Sequence, residues 1–251
     1  MNTHGRQLIG RRLLRLERVD STNNVAADHA SDRANEGLVI WAEEQTAGRG
    51  RVGRVWQSPP ECGVWLSALL FPPEPLRRPV LMTVLAAVAV CEAIYDCTRL
   101  QTRIKWPNDV LLQGRKVCGI LVEQGLGTVI GVGLNVNTPA ETFAAASLEQ
   151  AGSLAMFTGS PLSREAVVDA LLDHLDRGYA ELREGRAEDL EMRWRWHSGI
   201  LGKQIVLTTN DGTMRGRLVE MNFAALVLQE ADGSLRALQP EAVVTLTPCS
   251  P

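Results

Sequence analysis

The sequence predicts an α+β fold that ends in a small β-barrel, and two features support this prediction. Over roughly the first 200 residues, apolar runs typical of strands alternate with helical segments. From Lys203 onward the pattern changes to short alternating strands, with turn sequences at Asn210-Asp211-Gly212 and Asp232-Gly233. Five strands in under about fifty residues are typical of a small barrel. We therefore predict two domains, residues 1–200 and residues 201–251.

The first elements follow from local patterns. Residues 12–19 alternate apolar and charged side chains, which indicates a half-buried strand. Asp20, Ser21 and Thr22 then offer side-chain oxygens to cap a short helix that runs to about Ala30. Residues 37–44 and 63–71 are two further strands. Between them, residues 45–60 hold three glycines, three arginines and two prolines, and we call this segment the arginine loop.

The middle of the chain adds helices and strands. Residues 76–98 form a long helix that is apolar on most faces, as expected for a helix packed on a sheet. Strands are predicted at residues 102–106, 116–123 and 128–136, and a Pro-Asn-Asp turn separates the first two. Ser163 is expected to cap a helix over residues 164–182, and a second helix covers residues 187–197.

Composition limits the class of protein. The chain has 251 residues, of which 45% are hydrophobic and 22% are charged, which is ordinary for a globular fold. A net charge of −3 argues against a general nucleic-acid or membrane-surface binder. The longest apolar run, residues 80–90, is shorter than the ~20 residues of a membrane span. Five cysteines without framework spacing indicate reduced thiols, and we predict a cytoplasmic protein.

The arginine loop carries the strongest chemical signal. Gly48, Gly50 and Gly53 give a literal G-x-G-x-x-G, but Val-Trp-Gln-Ser-Pro-Pro follows instead of a helix, so we reject a dinucleotide-binding motif. Glycines let a loop approach a ligand closely, and Arg49 and Arg51 supply planar donors for a carboxylate or phosphate. We interpret the loop as an anion site; the alternative is a solvated basic loop.

Further residues are weaker candidates when each is taken alone. Asn108 and Asp109 follow a strand, and Asp109 could hold Mg²⁺ or orient an attacking amine, although such a turn is common. Lys116 enters an apolar strand and points at a ligand or protects a sheet edge. It does not belong to a Walker A motif, because Val117 follows it.

Small residues and histidines complete the survey. Residues 131–137 read Gly-Val-Gly-Leu-Asn-Val-Asn, and their glycines allow another backbone or a flat ligand to approach the strand. The histidines lack metal-ligand spacing, so we expect no zinc site. They are His4, His29, His174 and His197.

Together these runs resemble the biotin–protein ligases, that is, the biotin–[acetyl-CoA-carboxylase] ligases. The runs occur in the order of the family, and they span about half the chain. The matching segments are residues 20–23, 45–56, 105–109, 114–123 and 131–135. The resemblance implies an α+β catalytic domain with a mixed sheet, similar to class II synthetases, followed by a small SH3-like C-terminal barrel.

The resemblance also implies an activity and its substrates. Members of the family activate biotin with ATP to biotinyl-5′-AMP and release pyrophosphate, with Mg²⁺ as the metal. They then transfer biotin to one lysine of a biotin carboxyl carrier domain of acetyl-CoA carboxylase or a related carboxylase. Such an enzyme needs no nucleophile of its own, because the acceptor lysine attacks the adenylate.

Site residues are carried over position by position. Arg49, Arg51 and Lys116 are the expected catalytic cations. The expected biotin-binding residues are Ser21, Thr22, Asn23, Gln45, Gly48, Arg49, Gly50, Arg51, Lys116, Gly119 and Leu121. The expected nucleotide-binding residues are Arg51, Arg54, Trp56, Asn108 and Asn135, and Asp109 is the candidate Mg²⁺ ligand.

Two features limit the resemblance. Many bacterial members carry an N-terminal DNA-binding domain, but only residues 1–19 precede the Asp-Ser-Thr run, so we expect no DNA binding. The net charge and the shortness of the apolar runs lead us to expect no membrane binding either. Members often dimerise through the sheet, and the sequence is compatible with a monomer and with a homodimer.

The rival functions are a lipoyl or octanoyl ligase, which the Gly-Arg-Gly-Arg run disfavours, and a non-catalytic biotin-binding module, which the intact loop and lysine disfavour.

Overall fold

A computed structural model describes residues 5–249, so His4 and the outermost residues of both predicted domains lie outside it. The first sheet has seven strands in the order β1-β2-β3-β7-β6-β5-β4, and only β1 and β2 run parallel. This mixed sheet confirms the predicted class. Its strands are β1 Leu13–Val19, β2 Val39–Gln45, β3 Gly63–Leu70, β4 Arg103–Lys105, β5 Asp109–Leu112, β6 Arg115–Gln124 and β7 Thr128–Asn135.

Strand β5 is the element of this sheet that the sequence did not indicate. It has four residues, too few to establish a period, and it starts where a turn was predicted. Gln113 and Gly114 then turn the chain into β6 with positive φ angles of 48° and 83°. The added strand matters for the site, because it places β6 inside the sheet rather than at its edge.

The helices agree with the predicted pattern, with two short additions. They are α1 Thr22–Asp28, α2 Pro79–Thr98, α3 Ala140–Ala145, α4 Leu154–Thr158, α5 Arg164–Arg183 and α6 Ala187–Ser198. The short helices α3 and α4 were not predicted. Ser163 caps α5 as expected, because its Oγ accepts a hydrogen bond from the Ala166 amide at 3.2 Å.

The cap predicted for α1 differs in detail. Ser21 occupies the N-cap position, but its side chain makes no capping hydrogen bond, and Asp20 Oδ1 instead accepts from the Ser21 amide at 2.6 Å. The expectation that side-chain oxygens cap this helix is therefore wrong. The Asp20 carboxylate also accepts a hydrogen bond from the side chain of Asn24, in the first turn of the helix.

Helix α2 is long and apolar enough to cross a membrane by length and composition alone. However, 67% of its most apolar window is buried inside the fold. It packs against α5 and against the first sheet, so its hydrophobic faces have partners within the protein. Burial, rather than the short apolar run noted in the sequence, identifies it as a core helix.

Two of the five cysteines, Cys91 and Cys118, are buried in this core. The structure leaves Cys62, Cys91, Cys97, Cys118 and Cys249 without disulfide partners. Burial raises the pKa of the Cys118 thiol well above its usual range and raises that of Cys91 to about 12. Both thiols are therefore protonated and unreactive at neutral pH. Cys118 lies beside the candidate lysine without taking part in its chemistry.

The second sheet has five antiparallel strands in the order β11-β10-β9-β8-β12. They are β8 Gln204–Thr209, β9 Gly212–Met221, β10 Leu226–Gln229, β11 Leu235–Leu238 and β12 Val243–Pro248. This sheet packs on the first unit through Trp194, whose ring stacks on Phe223 at 5.5 Å and lies 5.6 Å from Trp106. Trp106 Nε1 also donates to the Val243 carbonyl at 2.9 Å.

A titratable cluster joins α2 to α5. His174 lies 2.9 Å from Glu92 and 2.8 Å from Asp96, and Arg177 and Arg193 face the same cluster. Burial opposes protonation, but the hydrogen bonds to Glu92 and Asp96 outweigh it and raise the pKa of His174. The charged imidazole therefore stabilises the fold below its unfolded pKa of about 6.5, and this contribution disappears as the pH rises through the folded pKa.

We expect the stability lost on His174→Gln to be greater near pH 6 than well above the folded pKa. Urea unfolding of the wild type and the variant at several pH values measures the difference in the free energy of unfolding. An equal difference at every pH would show that the cluster gains nothing from protonation of this histidine.

Candidate active site

A cavity of about 540 Å³ opens on the first sheet beside the start of α1 and beneath the arginine loop. Almost every site residue predicted from the sequence lines it. These are Ser21, Thr22, Asn23, Gln45, Arg49, Gly50, Arg51, Arg54, Trp56, Asn108, Asp109, Lys116, Gly119, Leu121 and Asn135. Gly48 stands outside this lining, although its carbonyl accepts from the Trp56 amide at 2.9 Å within the loop.

Parallel pairing brings two distant segments to one end of the cavity. Because β1 and β2 run in the same direction, Val19 pairs with Gln45, and both strands end at the same edge of the sheet. The residues that follow β1 therefore meet the side chain that ends β2. Gln45 Oε1 accepts from the Thr22 amide at 2.9 Å and lies 3.1 Å from Thr22 Oγ1.

The orientation of the Gln45 amide is fixed at its other end as well. Its Nε2 donates to Ser58 Oγ at 2.8 Å, so the loop holds the glutamine that helps to form the cavity floor. Among the hydrogen bonds of residues 5–249, none involves the hydroxyl of Ser21, a residue that lines the same cavity. Ser21 thus has a free donor and acceptor for a ligand, next to a glutamine that is already oriented.

Ser67 and Glu123, to which the sequence assigned no role, complete this polar floor. Ser67, fully buried on β3, lies 2.7 Å from Thr22 Oγ1 and donates to Asn23 Oδ1 at 2.6 Å. The Asn23 amide nitrogen then donates to Glu123 at 2.6 Å. Sequence reasoning missed Ser67, although a single hydroxyl inside a wholly apolar strand was a usable signal.

The arginine loop folds back on itself as a narrow hairpin. The Gly50 amide donates to the Arg54 carbonyl at 2.6 Å, and Arg49 and Val55 form an isolated β-bridge. At the tip, Val52 is 95% exposed and has a φ of 55°, an uncommon conformation for a β-branched residue. No helix follows the glycines, in agreement with the rejection of a dinucleotide-binding motif.

Trp56 lies flat on the sheet where two glycines face each other. Gly119 on β6 and Gly133 on β7 are register partners, and an added Cβ would lie 2.8 Å and 2.5 Å, respectively, from the indole ring. The glycines were predicted to admit another backbone or a flat ligand, and here the flat group is the chain's own tryptophan. The Lys116 ammonium lies 5.2 Å from the centre of this ring.

Lys116 points into the cavity from an interior strand. Because β6 lies between β5 and β7, the alternative of a lysine protecting a sheet edge is excluded. Its Nζ lies 2.6 Å from Asp109 Oδ1, and both side chains are partly buried. The lysine is thus a cation held at the cavity wall by one carboxylate.

Several predicted nucleotide residues already hold the cavity walls in place. Asn108 Nδ2 donates to the Ile120 carbonyl at 2.9 Å, and Asn135 Nδ2 donates to the Gly152 carbonyl at 3.1 Å. Phe143 and Leu148 also line the cavity, and Val244 of β12 reaches it from the second sheet. Contacts of these asparagines with a nucleotide stay a prediction.

Metal-binding groups are sparse around this cavity. Within residues 5–249, no three His, Cys, Asp or Glu side chains are grouped so that they could hold a metal ion together. Asp109 is a single carboxylate on the cavity wall. One carboxylate suits Mg²⁺ that arrives with a nucleotide, because Mg²⁺ is commonly held by one or two carboxylates together with substrate phosphates.

Comparison with known proteins gives consistent matches. Residues 16–137 match the model of the biotin/lipoate A/B protein ligase family. The bifunctional ligase/repressor BirA of Bacillus subtilis is 32% identical over 238 residues, which cover 92% of this chain and 73% of that protein. The biotin–[acetyl-CoA-carboxylase] ligase of Paracoccus denitrificans is 32% identical over 214 residues, or 80% of this chain and 87% of that protein.

A solved structure extends the likeness to three dimensions. The biotin protein ligase from Aquifex aeolicus in complex with biotin and ATP superposes with a TM-score of 0.81 at 26% identity. The match covers 95% of this chain and 100% of the other. It therefore includes both sheets of the fold.

Proposed function

The chain belongs to the biotin/lipoate A/B protein ligase family, and we propose that it is an ATP-dependent biotin–protein ligase. It activates biotin to biotinyl-5′-AMP and transfers the biotinyl group to a lysine of a biotin carboxyl carrier domain. The single observation that carries this proposal is the arrangement of the cavity. It joins a polar floor of Ser21, Thr22 and Gln45 to a wall of cations, Arg49, Arg51 and Lys116.

Such a cavity suits the joining of two anions. A carboxylate oxygen of biotin attacks the α-phosphorus of ATP, an oxygen–phosphorus bond forms, and the bond to pyrophosphate breaks. Fixed cations lower this barrier because they stabilise the charge that develops on the phosphate oxygens. Lys116 and the two loop arginines line the cavity for this role. Mg²⁺ bound to the ATP phosphates would neutralise further charge, with Asp109 as the available carboxylate ligand.

The transfer step needs no nucleophile from this chain. The amine of the acceptor lysine attacks the carbonyl carbon of the adenylate, an amide forms, and AMP leaves. Until then the mixed anhydride must be shielded from water, and the arginine loop, which covers the cavity, suits this task. That the loop acts as a lid stays a prediction.

We assign the residue roles in this proposal from the family resemblance and from the lining of the cavity. Ser21, Thr22 and Gln45 hydrogen-bond the ring of biotin, and Gly50, Gly119 and Leu121 shape the space around its side chain, while Gly48 holds the Trp56 amide. Arg49, Arg51 and Lys116 bind the carboxylate and the α-phosphate. The nucleotide side comprises Arg54, Trp56, Asn108 and Asn135.

We also propose wider properties of the protein. The acceptor is the carrier domain of a carboxylase such as acetyl-CoA carboxylase, as the name of the Paracoccus relative suggests. Residues 1–200 form the catalytic domain and residues 201–251 a second domain; the start of β8 at Gln204 supports this division. A cytoplasmic location and the absence of DNA and membrane binding stay predictions, as does the choice between monomer and homodimer.

Pyrophosphate exchange tests the adenylation step. Purified protein with ATP and labelled pyrophosphate is offered biotin, lipoic acid or octanoic acid in turn. We expect exchange with biotin and little with the other acids. Exchange with lipoic or octanoic acid alone would favour the lipoyl or octanoyl ligase. Biotin binding without any exchange would favour the non-catalytic module.

A further inference from the structure

Glu123, near the end of β6, connects the polar floor of the cavity to the arginine loop. We propose that it is a positioning residue, which orients Arg49 so that one edge of the guanidinium group faces the carboxylate of the substrate. This inference rests on the proposed function, because it assigns that carboxylate to biotin. Glu123 itself does not contact the reacting atoms.

The contacts of Arg49 leave most of its donors unused. Its Nη2 lies 3.2 Å and 3.0 Å from the two carboxylate oxygens of Glu123. The bonds seen among residues 5–249 come from this one nitrogen, and the two oxygens of a single carboxylate lie too close together to take both of its N–H groups. One two-pronged edge of the guanidinium group, formed by the other N–H of Nη2 with Nη1 or with Nε, therefore stays available for an anion. Glu123 therefore binds a single nitrogen of the guanidinium group. The unbound edge of that group is available to a ligand in the cavity that Arg49 lines.

An ion pair at the surface would not by itself fix this orientation. Arg49 and Glu123 side chains are 38% and 40% exposed, and exposed pairs contribute little because both side chains remain mobile. Glu123, however, is also hydrogen-bonded to a buried side chain. Its Oε2 accepts from the Asn23 amide at 2.6 Å, and Asn23 is only 5% exposed.

The side chain of Asn23 in turn is fixed by hydrogen bonds and by close packing. Its Oδ1 accepts from the fully buried Ser67, and its Nδ2 reaches the Leu121 carbonyl at 3.4 Å in addition to Glu123. Its amide lies against Gly131 on β7, where any Cβ would overlap Oδ1. With its donors and acceptor engaged by the protein, Asn23 supports Glu123 rather than contacting the substrate, which differs from the role that the resemblance implied.

The hydrogen bonds that link Glu123, Asn23 and Ser67 continue to the second half of the arginine loop. From Ser67 the path passes to Thr22 Oγ1 at 2.7 Å, then from the Thr22 amide to Gln45 at 2.9 Å, and from Gln45 to Ser58 at 2.8 Å. One hydrogen-bonded path along the cavity floor therefore holds both ends of the arginine loop. A ligand that binds the floor meets an arginine whose orientation is already set, so less ordering entropy is lost on binding.

The opposite role for Glu123 is a competing anion that the substrate must displace from Arg49. The geometry favours positioning, because the contact uses one nitrogen of Arg49 and because Glu123 has a buried partner of its own. The two roles predict effects of opposite sign. If Glu123 positions Arg49, removal of its charge weakens the binding of the substrate carboxylate. If Glu123 competes with the substrate, removal of its charge strengthens that binding.

Calorimetric titration with biotin and with its uncharged amide, biotinamide, separates these effects. In the wild type we expect biotin to bind more tightly than biotinamide. In Glu123→Gln, which keeps an acceptor for Asn23, we expect biotin affinity to fall about tenfold, the usual size for a hydrogen bond to a charged group. Affinity for biotinamide should stay within about twofold, since that ligand does not need the free edge of Arg49.

Two further variants sharpen the test. Ser67→Ala removes the support behind Asn23 and should shift the ratio of the two affinities in the same direction by a smaller factor. The matched control is Glu44→Gln, because Glu44 pairs with Arg18 at 3.4 Å outside the cavity. This control should keep both affinities of the wild type.

Each other outcome overturns the inference in a recognisable way. An unchanged ratio in Glu123→Gln would show that the residue does not position Arg49, and tighter biotin binding would identify a competing anion. An equal loss of both ligands would indicate general damage to the cavity floor. If the wild type itself binds no biotin, the proposed function fails first, and the inference fails with it.

Discussion

We expect the Lys116→Ala variant to form the adenylate about 10²–10³-fold more slowly than the wild type, the usual cost of one fixed donor in such a site. Lys116 lies on an interior strand, points into the cavity and has Asp109 as its carboxylate partner at 2.6 Å. Its removal takes away a cation and also leaves Asp109 as an uncompensated negative charge beside two anionic substrates. Both changes raise the barrier.

Biotin-dependent pyrophosphate exchange measures this effect. Lys203→Ala is a matched control, because Lys203 is an exposed lysine just before β8 and does not line the cavity. It should exchange at the rate of the wild type. Exchange near the wild-type rate in Lys116→Ala would remove this lysine from the catalytic group.

The Gly133→Ala variant should lose about 10²-fold in kcat/KM, although it adds only one methyl group. The added Cβ would lie 2.5 Å from Trp56 Nε1 and 2.6 Å from Cε2, so the indole must move off the sheet. Because the Trp56 amide is hydrogen-bonded to the Gly48 carbonyl, this movement also shifts the segment of the arginine loop next to Arg49. Cations that depend on the loop are then misplaced.

Gly125→Ala provides the comparison. Gly125 lies in the turn between β6 and β7, and an added Cβ there meets no atom within 4 Å. We expect this control to keep full exchange activity. If Gly133→Ala also exchanged at the wild-type rate while remaining folded, the contact between Trp56 and the glycine pair would be irrelevant to catalysis.

Local patterns predicted most of the fold. The glycines and prolines of the arginine loop, the apolar composition of helix α2 and the alternation and turn sequences of the five short C-terminal strands are all local signals. Strand β5 and the short helices were missed because four to six residues do not establish a period. The sequence thus predicted the elements, and their pairing had to be observed.

The site shows the same division. Sequence motifs identified the loop arginines and Lys116, but Lys116 also fitted a gatekeeper at a sheet edge until the pairing of β6 with β5 and β7 was known. Partners such as Glu123 and Ser67 depend on the register between strands far apart in the chain. Their roles follow from non-local contacts, which no single segment of the sequence encodes.

The most direct test of the central claim is the mass of an acceptor. The protein is incubated with biotin, ATP, Mg²⁺ and a biotin carboxyl carrier domain, and the intact carrier is weighed by mass spectrometry. We predict that the carrier gains one biotinyl group, only when ATP is present, and that a carrier with its acceptor lysine changed to arginine gains none. An unmodified wild-type carrier, under conditions in which a known ligase biotinylates it, would contradict the assignment of this chain as a biotin–protein ligase.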